Sequence, residues 1–446
     1  MNGRQVGRLA FPLSRESGRA AGRGGQGVRA ARAQTLPDVL PLPQAAAIPL
    51  ATVHALTWLV IACGVGLLMS LLLLFPGLNA ALGPLTYGRW APLHLDLVLY
   101  GWLALPLVAL LFRAYLPPDR AAGWAVQVWS GSLVAGAASW LLGRTTGKAF
   151  LDWQGIARVA FLANLVFLAA VLAAGLVRRK GERLWALGAL WVALLGVAAM
   201  MVSATSTSTY PPINPATGGP TGASLLGSTL AVIAIFLGTP YLLGFRGGRP
   251  AILVAFGGHC AFFAFVGLGE QTHREPLQIA AVASLVVWAW LLPRWLGRFD
   301  WPEGSRPWLF AFLAWGGALL ASAVPMFLPG LLDRIKFTNA LVGHAHLAMA
   351  GMATSFAALL LIVLNRETAL REAFADRTAF VLWHAGNAAH VAALAGAGAL
   401  EAADPGIVFR GDVAITFFYS VRAAAGAAML LAAARWAARA MRRAVP

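Results

Sequence analysis

Apolar residues in this chain come in runs of about 20, separated by short segments holding Arg, Pro or Gly. A run of that length is what an α-helix needs to cross the hydrocarbon of a bilayer at about 1.5 Å per residue. Read this way, the sequence predicts twelve spans, starting near residues 52, 90, 121, 156, 183, 222, 250, 277, 306, 338, 377 and 412. The expected fold class is all-α, a polytopic membrane helix bundle of about twelve transmembrane helices, in which Ala-, Gly- and Leu-rich helices pack into one body. No internal sequence repeat is evident. Residues 1–45 are expected to be a basic, disordered cytoplasmic tail and residues 46–446 the membrane domain.

Composition agrees with a membrane chain: 59% of residues are hydrophobic and 11% charged, far from the mix of a soluble domain. The net charge of +17 would suit a nucleic acid, but its placement along the chain excludes that reading. Lys and Arg gather in the tail and in alternate loops, 25 on that side against seven on the other. The positive-inside rule then puts both termini in the cytoplasm, with the lipid bilayer as partner and a bacterial cytoplasmic membrane as the expected location. Cys63 and Cys260 lie far apart in predicted spans, and no Cys-x-x-Cys-His occurs, so neither a disulfide framework nor a covalently attached haem is expected. The uncharged loop 203–224, punctuated by Pro-Pro, Asn-Pro and Gly-Gly-Pro, reads either as an ordered cap over the outer face or as a plain connector. Trp90, Trp153, Trp301 and Trp308 lie near span ends and read as an interfacial belt.

Chemistry is concentrated in the histidines. Gly343-His344-Ala345-His346-Leu347 places two ionisable side chains in one span, which is costly without partners. On a helix, residues i and i+2 point about 200° apart, so His344 and His346 must find partners in different directions. His94 in the second span falls at the same depth as this pair, roughly 6 to 12 Å below the outer boundary at 1.5 Å per residue. A low-spin haem takes two imidazoles from facing helices and a high-spin haem takes one. His94 with His346 can therefore hold the first and His344 the second; the alternative is that each is a packing residue bonded to a carbonyl.

These residues resemble a known family. Gly343-His344-Ala345-His346, together with Pro92-Leu93-His94-Leu95-Asp96-Leu97 and Tyr100-Gly101-Trp102, is similar to motifs of subunit I of the haem-copper oxidase superfamily, which includes cytochrome c oxidases and nitric oxide reductases. The resemblance implies a twelve-span core, two haems of b type or a related type, and the assignment of His344 to the high-spin and His346 to the low-spin haem. It also implies a copper held by three histidines, and there the match falters. Gly257-Gly258-His259-Cys260 offers a single histidine where a pair is expected, and Gly238-Thr239-Pro240-Tyr241 has Thr239 where a ligand would stand. His259 remains a metal-ligand candidate, with Glu270 and His273 as outer-loop additions, and copper itself is in doubt.

The other candidates are weaker. Arg410, in the outer loop between the last two spans, can pair with haem propionates or stay solvated. His54 reads as an interfacial residue. His384 and His390 read first as a polar packing cluster, with an extra haem site as the alternative. Ionisable residues along the inner halves of spans are scarce, which argues against proton pumping. The expected function is electron transfer from a low-spin to a high-spin haem for reduction of oxygen or nitric oxide in a respiratory chain. The donor would be a separate subunit, a cytochrome c or a quinol. The alternatives are a non-catalytic, oxidase-derived haem protein that carries electrons, senses gas or assists assembly, and a haem- and copper-containing membrane protein of the nitric-oxide-response type.

Overall fold

The computed structural model describes residues 46–178, 194–199, 201–202, 206, 225–245, 250–266, 274, 276–326, 328, 330–365 and 368–444. The expected tail, most of the span starting near 183, nearly all of the loop 203–224, and Glu270 with His273 lie outside them. Among the described residues the chain is helical throughout and has no strand. Its long helices are α1 (Ala47–Leu74), α2 (Tyr87–Tyr115), α3 (Asp119–Leu141), α4 (Gly155–Arg178), α5 (Leu225–Leu242) and α6 (Pro250–Val266). They continue with α7 (Pro276–Leu296), α8 (Arg306–Met326), α9 (Asn339–Leu364), α10 (Arg377–Ala403) and α11 (Val413–Ala444).

Seven of these, α1, α2, α4, α7, α8, α9 and α11, are long and apolar enough to cross a membrane. Helices α3 and α10 are as long but more polar, and much of their polarity is turned inward. Ser132 and Ser139 of α3, and Asn387, His390 and Glu401 of α10, are all buried. The centre of the bundle is α9, whose second half, Thr354–Leu364, is buried residue by residue. A helix buried on every side can afford no polar face, and only Thr354 and Ser355 interrupt its apolar sequence. Around it pack α2, α8 and α10, with α11 lying against both α1 and α10.

Two helices carry the same irregularity at the same place. In α2 a π-helical turn spans Leu97–Leu103, just after His94, and in α9 another spans Leu347–Ala353, just after His346. A π turn widens the helix and frees a carbonyl. Trp129 of α3 donates to the freed carbonyl of Tyr100 at 2.8 Å, and Trp383 of α10 donates to that of Ala350 at 2.9 Å. The next residue in each case is a glycine covered by an indole. A Cβ on Gly101 would stand 2.6 Å from the Trp58 side chain, and one on Gly351 2.7 Å from that of Trp315. Those two indoles then donate onward to matching positions, Trp58 to Ser130 at 3.1 Å and Trp315 to His384 at 2.9 Å. The helix triplets α1–α2–α3 and α8–α9–α10 are thus built on one repeated device, although the sequence shows no evident repeat. A handful of residues at conserved geometry, amid apolar positions free to vary, leaves little sequence similarity to see.

The tryptophan belt is corrected in part. Trp153 and Trp308 are fully buried. Trp153 stacks on Phe161 at 4.3 Å between ring centroids, and Trp308 donates to the carbonyl of Phe374 at 3.1 Å. Both lie near helix ends, as the sequence indicates, but the bundle folds over them.

Candidate functional site

Helices α2, α9, α10 and α11 bring four polar side chains to one place inside the bundle. His94 and His346 stand near the starts of α2 and α9, each eight residues in. His390 comes from the middle of α10, and its ring centroid lies 4.6 Å from that of His346 with the planes 35° apart. Arg422 of α11 is buried beside them, close enough to interact electrostatically with all three histidines. The sequence-predicted partners His94 and His346 are brought together in this cluster. His390 was expected first as a packing residue, with an extra haem site as the alternative, and Arg422 was not a candidate; the signal of both is weak, a histidine and an arginine within apolar spans.

Hydrogen bonds fix the tautomer of each ring. A carbonyl only accepts, so a ring nitrogen facing one must carry the proton. Nδ1 of His94 donates to the carbonyl of Ala62 at 2.8 Å, Nδ1 of His346 to that of Val342 at 2.8 Å, and Nδ1 of His390 to that of Arg422 at 3.2 Å. His344 reaches the same state through a hydroxyl. Ser322 already donates its proton to Leu319 at 2.8 Å, so its oxygen must accept from Nδ1 of His344 at 2.9 Å. In all four rings Nε2 is left with its lone pair. His344 faces α8 and His346 faces α10, as the spacing of two residues on one helix requires.

Two other histidines have the opposite tautomer, because an indole only donates. Trp288 donates to Nδ1 of His259 at 2.9 Å, so Nε2 of His259 carries the proton and gives it to Ser284 at 2.7 Å. Ser284 passes its own proton to the carbonyl of Ala281 at 2.5 Å. Both nitrogens of His259 are therefore spent within α6 and α7, and this geometry gives the expected copper ligand no free lone pair. Trp315 likewise donates to Nδ1 of His384. Thr239 donates to the carbonyl of Ile235 at 2.8 Å, as a helical threonine does, and points to no partner ligand. Among the described residues no three His, Cys, Asp or Glu side chains converge as a cage for a bare metal ion.

The cluster is anchored at the helix ends. Nη1 of Arg422 donates to the side-chain oxygen of Asn339 at 3.0 Å. Glu401 of α10 accepts from the backbone N–H of Asn339 at 2.7 Å, from the Asn339 side-chain amide, and from the Tyr419 hydroxyl at 3.4 Å. The start of α9, the end of α10 and α11 are thus pinned by one buried carboxylate. A Cβ on Gly66 of α1 would stand 2.7 Å from Cε1 of His94, so the glycine makes room for that imidazole. Arg410 is placed elsewhere: on the loop between α10 and α11, more than half exposed, its guanidinium pairs with Asp404. That hydrogen bond holds the Asp404 carboxyl below its usual range.

Comparison of the whole chain with known proteins bears on the fold. A cryo-EM structure of a heme-copper terminal oxidase dimer matches it at a TM-score of 0.57, over 90% of this chain and 84% of that one. The fold is that of a haem-copper terminal oxidase. At 13% identity the match speaks to architecture alone. No family model matches the chain, and no curated protein matches it. In this fold His94 and His346 share one cluster, His344 faces α8, and both nitrogens of His259 are engaged in packing.

Proposed function

We propose that the chain is an oxidase-type integral membrane haem protein of twelve spans, holding a low-spin haem between His94 and His346 and a high-spin haem on His344. The observation that carries this reading is the shared tautomer of the three rings. Each has Nδ1–H tied to an acceptor and Nε2 free, the arrangement by which a protein presents an imidazole to a metal. Two further features fit a haem: the seat on Gly66 against which the His94 ring packs, and a buried cation, Arg422, whose Nε has no hydrogen-bond partner. When bound, a haem supplies an iron that takes up and gives up one electron and, where one axial position stays open, binds a small gas.

The chain's own groups set the conditions for that chemistry. The carbonyls of Ala62 and Val342 orient the two imidazoles, and Ser322 orients His344 on the opposite face of α9. Arg422 places a fixed positive charge in a low-dielectric interior, which favours an added electron beside it. Electrons come from a separate subunit, a cytochrome c or a quinol, and oxygen or nitric oxide is reduced on the His344 side. The residues do not fit an oxidase-type copper, because His259 has no nitrogen to give, and no step is assigned to one. That same observation favours a second reading, a copper-free haem protein of the oxidase fold that carries electrons or senses gas without turnover.

Haem content per chain, with reduced and carbon-monoxide difference spectra of the purified protein, tests the proposal. Two haems, one of which shifts with carbon monoxide, are expected. A chain without haem, or one insensitive to carbon monoxide, sinks it. Sustained turnover of oxygen or nitric oxide would then eliminate the second reading.

A further inference from the structure

Among the described residues, the rings of His94, His344, His346 and His390 each keep a lone pair on Nε2, one ring more than the reading above uses. The fourth, His390, is 6% exposed, and its Nε2 is buried without any hydrogen-bond partner. A buried polar atom without a partner is costly, so a position that keeps one calls for a partner. The tautomer says which kind. With Nδ1–H given to the Arg422 carbonyl, Nε2 offers a lone pair and no proton. It cannot serve a carboxylate such as a haem propionate, which needs a donor; it can serve a Lewis acid or a hydrogen-bond donor, and the nearby unpartnered donor, Nε–H of Arg422, does not reach it. The titratable and charged groups that act on it are His346, His94 and Arg422.

We propose that His390 is an alternative axial ligand for the iron that His346 holds. This rests on the haem reading above. The two rings are neighbours at 4.6 Å, tilted by 35°, and come from different helices, which puts a second neutral imidazole beside the first. The exchange breaks the bond from iron to Nε2 of His346 and forms one to Nε2 of His390. Both rings are neutral and both keep Nδ1–H on a carbonyl, so no proton or electron moves and the charge at the site is unchanged. A neutral imidazole is a normal ligand to iron in either place. The consequence is a low-spin haem that keeps imidazole on both sides while its α9 ligand, and with it the turn that carries His344, is free to shift.

The test compares the purified full chain with the variants His346→Ala, His390→Ala and the double variant, by haem content and by optical and electron paramagnetic resonance spin state. The wild type and His390→Ala are expected to be low-spin. His346→Ala should retain at least half of its low-spin signal with altered g values, and the double variant should lose that signal at least tenfold relative to His346→Ala. The proposal is overturned if His346→Ala is already high-spin or haem-free, or if removing His390 from it changes nothing. Should His346→Ala aggregate on size exclusion, His346→Asn carries the same comparison. A wild type lacking any low-spin signal overturns the haem reading itself, and is thereby distinguishable from failure of the exchange alone.

Discussion

The indole of Trp288 donates to Nδ1 of His259 at 2.9 Å while the two rings lie nearly parallel, 8° apart. That bond turns His259 into a donor toward Ser284 and makes it a fastening between α6 and α7. The histidine is thus accounted for as structure. His259→Ala is expected to leave haem and metal content and the optical spectra unchanged. It should cost roughly 1 to 3 kcal/mol of stability for the stranded Trp288 and Ser284, read as a lower midpoint of thermal unfolding in detergent. A loss of bound metal in that variant would show that His259 is a ligand after all.

Gly66 and Gly64 lie one residue apart on either side of Val65, and only one of them touches the site. A methyl at Gly66 meets the His94 ring at 2.7 Å, whereas one at Gly64 meets nothing within 4 Å. Gly66→Ala should therefore push the imidazole off its bond to Ala62, shifting the low-spin absorption band and lowering haem retention severalfold. Gly64→Ala should do neither, and should gain a little helix stability, up to about 1 kcal/mol. Equal spectra for the two variants would mean that His94 does not hold a haem.

How much of this was legible in the sequence depends on what kind of signal each part leaves. Helices are written as long apolar runs, so eleven of the twelve predicted starts fall close to the first residues of α1 to α11; the one near 183 lies outside the described residues. His344 and His346 were legible because helical geometry alone forces them apart. His94 was legible from depth and from its motif. The place of His390 beside His346 was not, because nothing in Asn387-Ala388-Ala389-His390 tells which helix its ring will face. Arg410 misled for the converse reason. A loop arginine near an outer boundary reads as a candidate partner for carboxylates, and the carboxylate it finds is Asp404, six residues away.

Asp152 gives the loop between α3 and α4 a pH dependence. Its side chain is buried in the turn 142–154 and accepts from the backbone N–H of Gly147 at 3.2 Å, yet burial dominates and raises its pKa from 3.8 to about 6. A carboxyl with a raised native pKa binds more protons folded than unfolded between those two values. Stability of the loop therefore falls as pH rises from about 4 to about 6 and is flat on either side. The full effect is at most about 3 kcal/mol. Hydrogen exchange of residues 142–154 should quicken across that interval in the native protein and be pH-independent, beyond the intrinsic exchange rate, in Asp152→Asn. An opposite slope would mean that the Gly147 bond outweighs burial.

Glu401 accepts three hydrogen bonds from two residues, Asn339 and Tyr419, at the junction of α9, α10 and α11, and Arg422 reaches that carboxylate only through Asn339. Removing the negative charge leaves a buried guanidinium whose anchor is itself unanchored. Loss of one member of a buried ionic network costs about 3 to 5 kcal/mol, while replacing the members together with apolar groups costs far less. Glu401→Leu should accordingly lower the unfolding midpoint sharply, and Glu401→Leu with Arg422→Leu should recover part of the loss. The two effects on the haem separate cleanly. Glu401→Leu keeps the Arg422 charge and should leave the low-spin midpoint potential close to native, whereas Arg422→Leu removes a buried cation next to the iron's expected position and should lower that potential. Potentiometric titration of the low-spin band in both single variants checks this. A potential that follows Glu401 instead of Arg422 would place the controlling charge on the carboxylate.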